Sequence, residues 1–138
     1  MYQRLFDEFL TSGNTLQVHE DDKIIFTSHK DRLLPLIEYI ETFAADHQDV
    51  VIFDKIIGRA AALLCTKANC REVYSPMGSQ LAIEALDKYG IEHHLTQIVP
   101  YIQRPNQEEM CPMEKLSLNK EPEEFHQLVK NLLAENRG

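Results

Sequence analysis

The chain has 138 residues, 14 basic against 22 acidic, and a formal charge of −8. That length supports one domain with a sizeable core rather than two, so residues 1–138 are read as a single domain. The acidic balance disfavours bulk nucleic-acid binding, which needs an excess of cations, and no apolar run is long enough to cross a bilayer.

Tyr2, Leu5, Phe6, Phe9 and Leu10 recur at helical spacing and predict a short amphipathic helix, a lid over one face of a sheet. Residues 11–14 break it. Leu16 and Val18 alternate with polar residues, and Glu20-Asp21-Asp22-Lys23 turns into Ile24-Ile25-Phe26, which predicts a β-hairpin. Ser28 with Asp31 three residues on matches a capping box. Leu33, Leu36, Ile37, Ile40, Phe43 and Ala44 then give a helical stripe ending near residues 46–49. Val50-Val51-Ile52-Phe53 runs apolar without alternation, as a strand covered on both faces does. Asp54 and Lys55 put two charges at its end, and Gly58-Arg59 open an alanine-rich segment that reads as a buried helix to about Lys67.

Asn69 is a plausible stop for that helix. Glu72-Val73-Tyr74 predicts a short strand, and Ser75-Pro76-Met77-Gly78-Ser79 a turn. Leu81, Ala82, Ala85, Leu86 and Tyr89 mark another helix, closed by Gly90. Residues 91–99 read as a strand carrying His93 and His94, which must point to opposite faces and so cannot share a metal. Residues 100–109 are a polar loop. Cys111-Pro112 starts a short helix. Pro122 among Glu121, Glu123 and Glu124 opens the last helix, whose stripe is Phe125, Leu128, Val129, Leu132 and Leu133. Strands alternating with helices after an antiparallel hairpin predict an α/β protein, a three-layer α/β/α sandwich with a mixed sheet.

Several separated blocks carry a more specific resemblance. Asp54-Lys55-Ile56-Ile57-Gly58-Arg59-Ala60-Ala61-Ala62, Glu72-Val73-Tyr74-Ser75-Pro76, Lys88-Tyr89-Gly90-Ile91, Val99-Pro100-Tyr101-Ile102 and Cys111-Pro112-Met113-Glu114-Lys115 resemble a small bacterial family, domain of unknown function 1893. That family is placed in the cytidine deaminase-like superfamily, so the resemblance implies that fold over nearly the whole chain and no established activity. Zinc deaminases carry a His or Cys followed two residues later by Glu, and a Cys-x-x-Cys pair at the start of the next helix. Here those places hold His29-Lys30-Asp31 and Lys55-Ile56-Ile57-Gly58, without a thiolate. One ligand of three cannot build the site, so His29 reads as a surface or capping residue, zinc-dependent deamination is rejected, and no zinc or other cofactor is expected.

The turn after the central strand still presents free N–H groups and the positive end of a helix. Gly58 permits close backbone approach, and Lys55 and Arg59 supply a point charge and a fork for a phosphate. Ser75 and Ser79 offer further hydrogen bonds, and Tyr101 and Arg104 can stack on a base or clamp a phosphate. With Asp54, these residues predict a metal-free site for a nucleotide-like or phosphorylated small molecule. The competing reading makes Asp54 and Lys55 a solvated pair and Gly58 a packing residue. A second function is an enzyme using Lys55 or Cys111 covalently, with Asp54 or Glu114 moving the proton; Lys55 must then be desolvated, and the helix dipole favours the Cys111 thiolate while Glu114 opposes it. A third is an interaction module built on Phe125, Leu128 and Leu132 or on a sheet edge, with a homodimer compatible. Cys65 and Cys70 read as core or boundary residues. Three cysteines without paired spacing, and an N-terminus without the apolar region of a signal peptide, make the cytoplasm the expected location.

Overall fold

A computed structural model describes residues 2–104 and 108–137. The N-terminal stripe forms α1 (Gln3–Leu10), and the hairpin forms β1 (Leu16–Glu20) and β2 (Lys23–Ser28). Asp21 and Asp22 make its two-residue turn at φ 50° and 67°, the left-handed pair that a tight hairpin with right-handed twist requires. Then come α2 (Leu34–Thr42), a 3₁₀ turn (Ala44–Asp46), β3 (Val50–Asp54), α3 (Arg59–Lys67), β4 (Cys70–Ser79), α4 (Gln80–Lys88), β5 (Glu92–Val99), α5 (Pro112–Ser117) and α6 (Pro122–Arg137). None of these helices is long and apolar enough to cross a membrane.

The strands form one mixed sheet in the order β2-β1-β3-β4-β5. β1 lies antiparallel to β2 and β3, while β3, β4 and β5 run parallel. The apolar run Val50-Val51-Ile52-Phe53 occupies the centre with no residue more than 1% exposed, as its lack of alternation predicts. Its alternate side chains feed two cores. Val51 and Phe53 join Tyr74, Tyr2 and the α1 residues Phe6 and Phe9 in an aromatic cluster. Ile52 joins Leu36 of α2, Leu63 and Leu64 of α3, Leu86 of α4 and Phe125 of α6 in the larger one. One sheet face thus carries the eight-residue α1 and the other carries the remaining helices, an arrangement compatible with a three-layer α/β/α sandwich.

Two local expectations are corrected. No capping box forms at Ser28 and Asp31: the Ser28 Oγ accepts from the Lys30 N–H at 3.1 Å, and α2 begins only at Leu34. Arg32 intervenes at φ 62°, a left-handed position that cannot belong to a helical turn. Residues 75–79 are not a turn but the second half of β4. Pro and Gly argue locally against a strand, yet the β5 ladder skips Pro76 and resumes at Met77, and Gly78 lies where a Cβ would stand 2.5 Å from Leu95 Cδ1. The extra length of β4 matters for the site, because it hydrogen-bonds Ile57: the Ile57 N–H donates to Met77 O at 2.9 Å and the Ser79 N–H to Ile57 O at 3.0 Å.

Candidate functional site

β3 ends at Asp54, and the chain must leave the sheet and enter α3 within four residues. Stitched to β4 through Ile57, the turn has little freedom, and it faces two other connections at the same end of the sheet. These are the segment after β2 and the loop after β5. Together they enclose a cavity of about 630 Å³ lined by Asp54, Lys55, Ile56, Gly58, Arg32, Leu33, Ile102, Arg104 and Cys111, among others. The size is that of a small-molecule site, and its position outside the strand carboxyl ends is where open α/β sheets bind ligands.

The N-terminus of α3 is already occupied. Glu114, 2% exposed, accepts from the Arg59 backbone N–H through Oε1 and from the Ile102 N–H at 2.7 Å through Oε2. One buried carboxylate therefore ties α5, the loop after β5 and the first turn of α3 together, at the end of the helix where negative charge is favoured. Gly58 is the residue this closure needs: a Cβ there would meet Glu114 Oε1 at 2.8 Å and Ile102 Cγ1 at 2.9 Å. The requirement is close approach, since Gly58 has an ordinary extended φ of −97°.

Asp54 faces a different environment. Burial pushes its carboxyl up to about 7, against weaker opposing hydrogen bonds from the backbone of Ile56 and Lys55. The Ile56 bond, to Oδ1, is long at 3.4 Å. Asp54 is thus poised between its neutral and charged forms at physiological pH.

The other expected site residues divide. Lys55 lines the cavity, but its ammonium donates to Leu10 O at 3.0 Å and lies 4.7 Å from the centre of the Phe9 ring, capping the end of α1. Arg59 turns away to donate to Ser117 O at 3.0 Å and Lys120 O at 3.4 Å. Ser75 is buried and exchanges bonds with the Met77 backbone, and Ser79 caps α4 through Ala82 N–H. Tyr101 donates to Glu108 O at 2.9 Å. Arg104 lines the cavity, paired loosely with Glu109 at 3.9 Å. Cys111 lines it as the half-buried first cap of α5, its own N–H held by Ile102 O at 2.7 Å. Phe125 is fully buried and Leu128 packs on the core. His29 is exposed and outside the cavity lining. Residues 105–107 of the polar loop lie outside the described residues.

Arg32 and Leu33 escaped the sequence reading. Their signal was topological: in a hairpin joined antiparallel to β3, the carboxyl end of β2 lies at the same end of the sheet as Asp54.

Glu114→Gln offers an amide N–H₂ to one of two backbone N–H groups, and should lower stability by about 2–3 kcal/mol in chemical denaturation; Gly58→Ala should cost about 1–3 kcal/mol by overpacking the same contact. Asp54 titrates at about 7 folded against an ordinary 3.8. The folded state therefore binds more protons than the unfolded one between these values, and stability should fall as pH rises from about 4 through 7. Asp54→Asn should abolish that slope and stabilise the protein at pH 8 by about 1–3 kcal/mol, measured by denaturation at pH 5 and 8.

Comparison with known proteins places this geometry in a family. No curated protein matches the sequence. The crystal structure of a DUF1893 family protein (TM1506) from Thermotoga maritima at 2.70 Å resolution is similar, with a TM-score of 0.84 and 25% sequence identity over 94% of this chain and 87% of that one. The model of the family described as a domain of unknown function (DUF1893) matches residues 6–133, so the chain belongs to that family.

Proposed function

We propose that this chain is a binding domain for a small anionic organic ligand, nucleotide-like or phosphorylated in class, held in the cavity at the carboxyl end of β3. The observation that carries this reading is the composition of that cavity. A neutralisable carboxyl, Asp54, sits in the same enclosure as the cations Arg32 and Arg104 and the apolar side chains Ile56, Ile102 and Met113. An anionic group would be met by the two arginines at the mouth, and a flat or apolar body by the aliphatic wall. Glu114 takes the Arg59 N–H at the start of α3, and the side chains of Arg59, Ser75 and Ser79 are spent on backbone contacts. The hairpin followed by alternating strands and helices supports a cytidine deaminase-like descent, with the cavity kept and the zinc ligands lost.

Asp54 also supports a second reading. A carboxyl titrating near neutrality inside a cavity is suited to proton transfer, and Cys111 in the same lining is the available nucleophile. Lys55 is less suited to that role, because its ammonium is engaged with the end of α1.

Binding is tested by the melting temperature of the full chain in the presence of nucleoside monophosphates, sugar phosphates and the corresponding uncharged compounds. Phosphorylated members should stabilise and their uncharged counterparts should not. Arg32→Ala and Arg104→Ala should each weaken binding about fivefold or more, the usual scale of a charge-assisted contact. Ionised Asp54 repels an anion, so affinity should rise as pH falls from 8 to 6 and should lose that dependence in Asp54→Asn. Equal responses to charged and uncharged compounds, or unchanged affinity in both arginine variants, contradict the proposal. Turnover or a covalent adduct lost in Cys111→Ser would instead establish the catalytic reading.

A further inference from the structure

The face of the sheet that α1 covers incompletely carries a second cluster of functional groups, sharing no residue with the cavity. In the parallel pairing of β4 with β5, Glu72 stands opposite Glu92 and Tyr74 opposite His94. Residues two apart on a strand share a face, so two carboxylates and an imidazole meet on one side. His94 Nε2 lies 2.7 Å from Glu72 Oε2 and 3.0 Å from Glu92 Oε2. Glu72 is nearly buried, with 9% of its side chain exposed, while Glu92 and His94 are open to solvent. His93, on the other face, pairs with Asp87 instead.

We infer that Glu72, Glu92 and His94 form a binding site for a divalent transition-metal ion of the zinc class. The three donor atoms all lie within 4.8 Å of one another; ligand atoms about 2.0–2.1 Å from a tetrahedral zinc stand about 3.3 Å apart, so His94 Nε2 need separate only slightly from each carboxylate oxygen to accept one. Two carboxylates and a neutral imidazole balance a divalent charge, and that donor set suits zinc and its neighbours rather than soft copper(I). The present hydrogen bonds leave the cluster short of donors. An N–H on His94 Nε2 can point at only one acceptor, yet Nε2 faces two carboxylate oxygens; among the described residues the other donors to Glu72 are the Tyr74 hydroxyl, at 3.2 Å from Oε2, and Arg71, at 3.7 Å from Oε1. A cation at the centre would satisfy all three groups at once.

The support around the cluster is of the kind a metal site requires. All three residues lie on hydrogen-bonded strands, which fix their spacing better than loops would. The His94 ring is stacked on Tyr74 at 4.2 Å and 18°, and the Tyr74 hydroxyl donates to Glu72 Oε2 at 3.2 Å, holding both ligands in orientation from behind. Beside His94 opens a hollow of about 300 Å³, lined also by Gln3, Tyr74 and Thr96. Zinc is thus inferred for a place unrelated to the deaminase positions at His29 and Lys55.

The test is calorimetric titration of the chelator-stripped full chain with zinc chloride. One ion per chain is expected, with Glu92→Gln and His94→Gln each weakening binding about tenfold or more, while both variants melt like the parent in chelator. Cys70 donates to Glu72 O at 3.1 Å, so thiol binding must be separated from the inferred site. Cobalt(II) should give a weak ligand-field spectrum without a thiolate charge-transfer band, and Cys70→Ser should bind zinc like the parent. No binding at millimolar zinc, binding unchanged in both cluster variants, or a thiolate band would overturn the inference.

Discussion

The Glu114 carboxylate does what a phosphate often does at the start of a helix. It takes the first N–H of α3 with one oxygen and the Ile102 N–H with the other. Without it, α3 would begin with unpaired donors inside the protein, and nothing comparable would join the loop after β5 to the central βα turn. Its position also fixes its neighbours. Gly58 has to lack a side chain because Glu114 and Ile102 stand where one would go, and Arg59 swings outward to bind the carbonyls of Ser117 and Lys120. The same chain of contacts that closes the helix shapes one wall of the cavity.

From that closure follows the character of the site. The Arg59 N–H at the start of α3 is taken by Glu114, and the guanidinium groups in the cavity lining are those of Arg32 and Arg104, on connections to either side. Asp54, next to the closed turn, is left partly desolvated and keeps its proton to about pH 7. The other end of the design is the sheet itself. Because five helices crowd one face and α1 alone covers the other, polar residues can stand on the α1 side of β4 and β5 without entering the main core. Glu72, Glu92 and His94 occupy that space.

Much of the fold was legible because it is local. The unbroken apolar run 50–53 identified the central strand, the Asp21-Asp22 pair its hairpin, and Asn69 and Gly90 take the left-handed positions that end α3 and α4, at φ 59° and 71°. Residues 75–79 were misread for a physical reason: Ser, Pro and Gly favour turns alone, and only pairing with β5 and the bridge to Ile57 makes them strand. The cavity was half legible. Its location followed from the rule about strand carboxyl ends, and Asp54, Lys55, Arg104 and Cys111 do line it. The contact between Arg59 and Glu114 was beyond reach, since it joins residues 55 apart in sequence. Glu72, Tyr74, Glu92 and His94 likewise have no local pattern, and they converge only once β4 and β5 are known to run parallel in one particular register.

The central claim is that the loop held by Glu114 encloses the cavity and thereby desolvates Asp54. Its most direct test is a carbon NMR titration of the Asp54 side-chain carboxyl in the intact protein and in Glu114→Ala. The account requires a midpoint of about 7 in the parent and a fall toward the ordinary carboxylate range when the loop is released. A parent midpoint near 4, or an elevated one that survives in the variant, would contradict it.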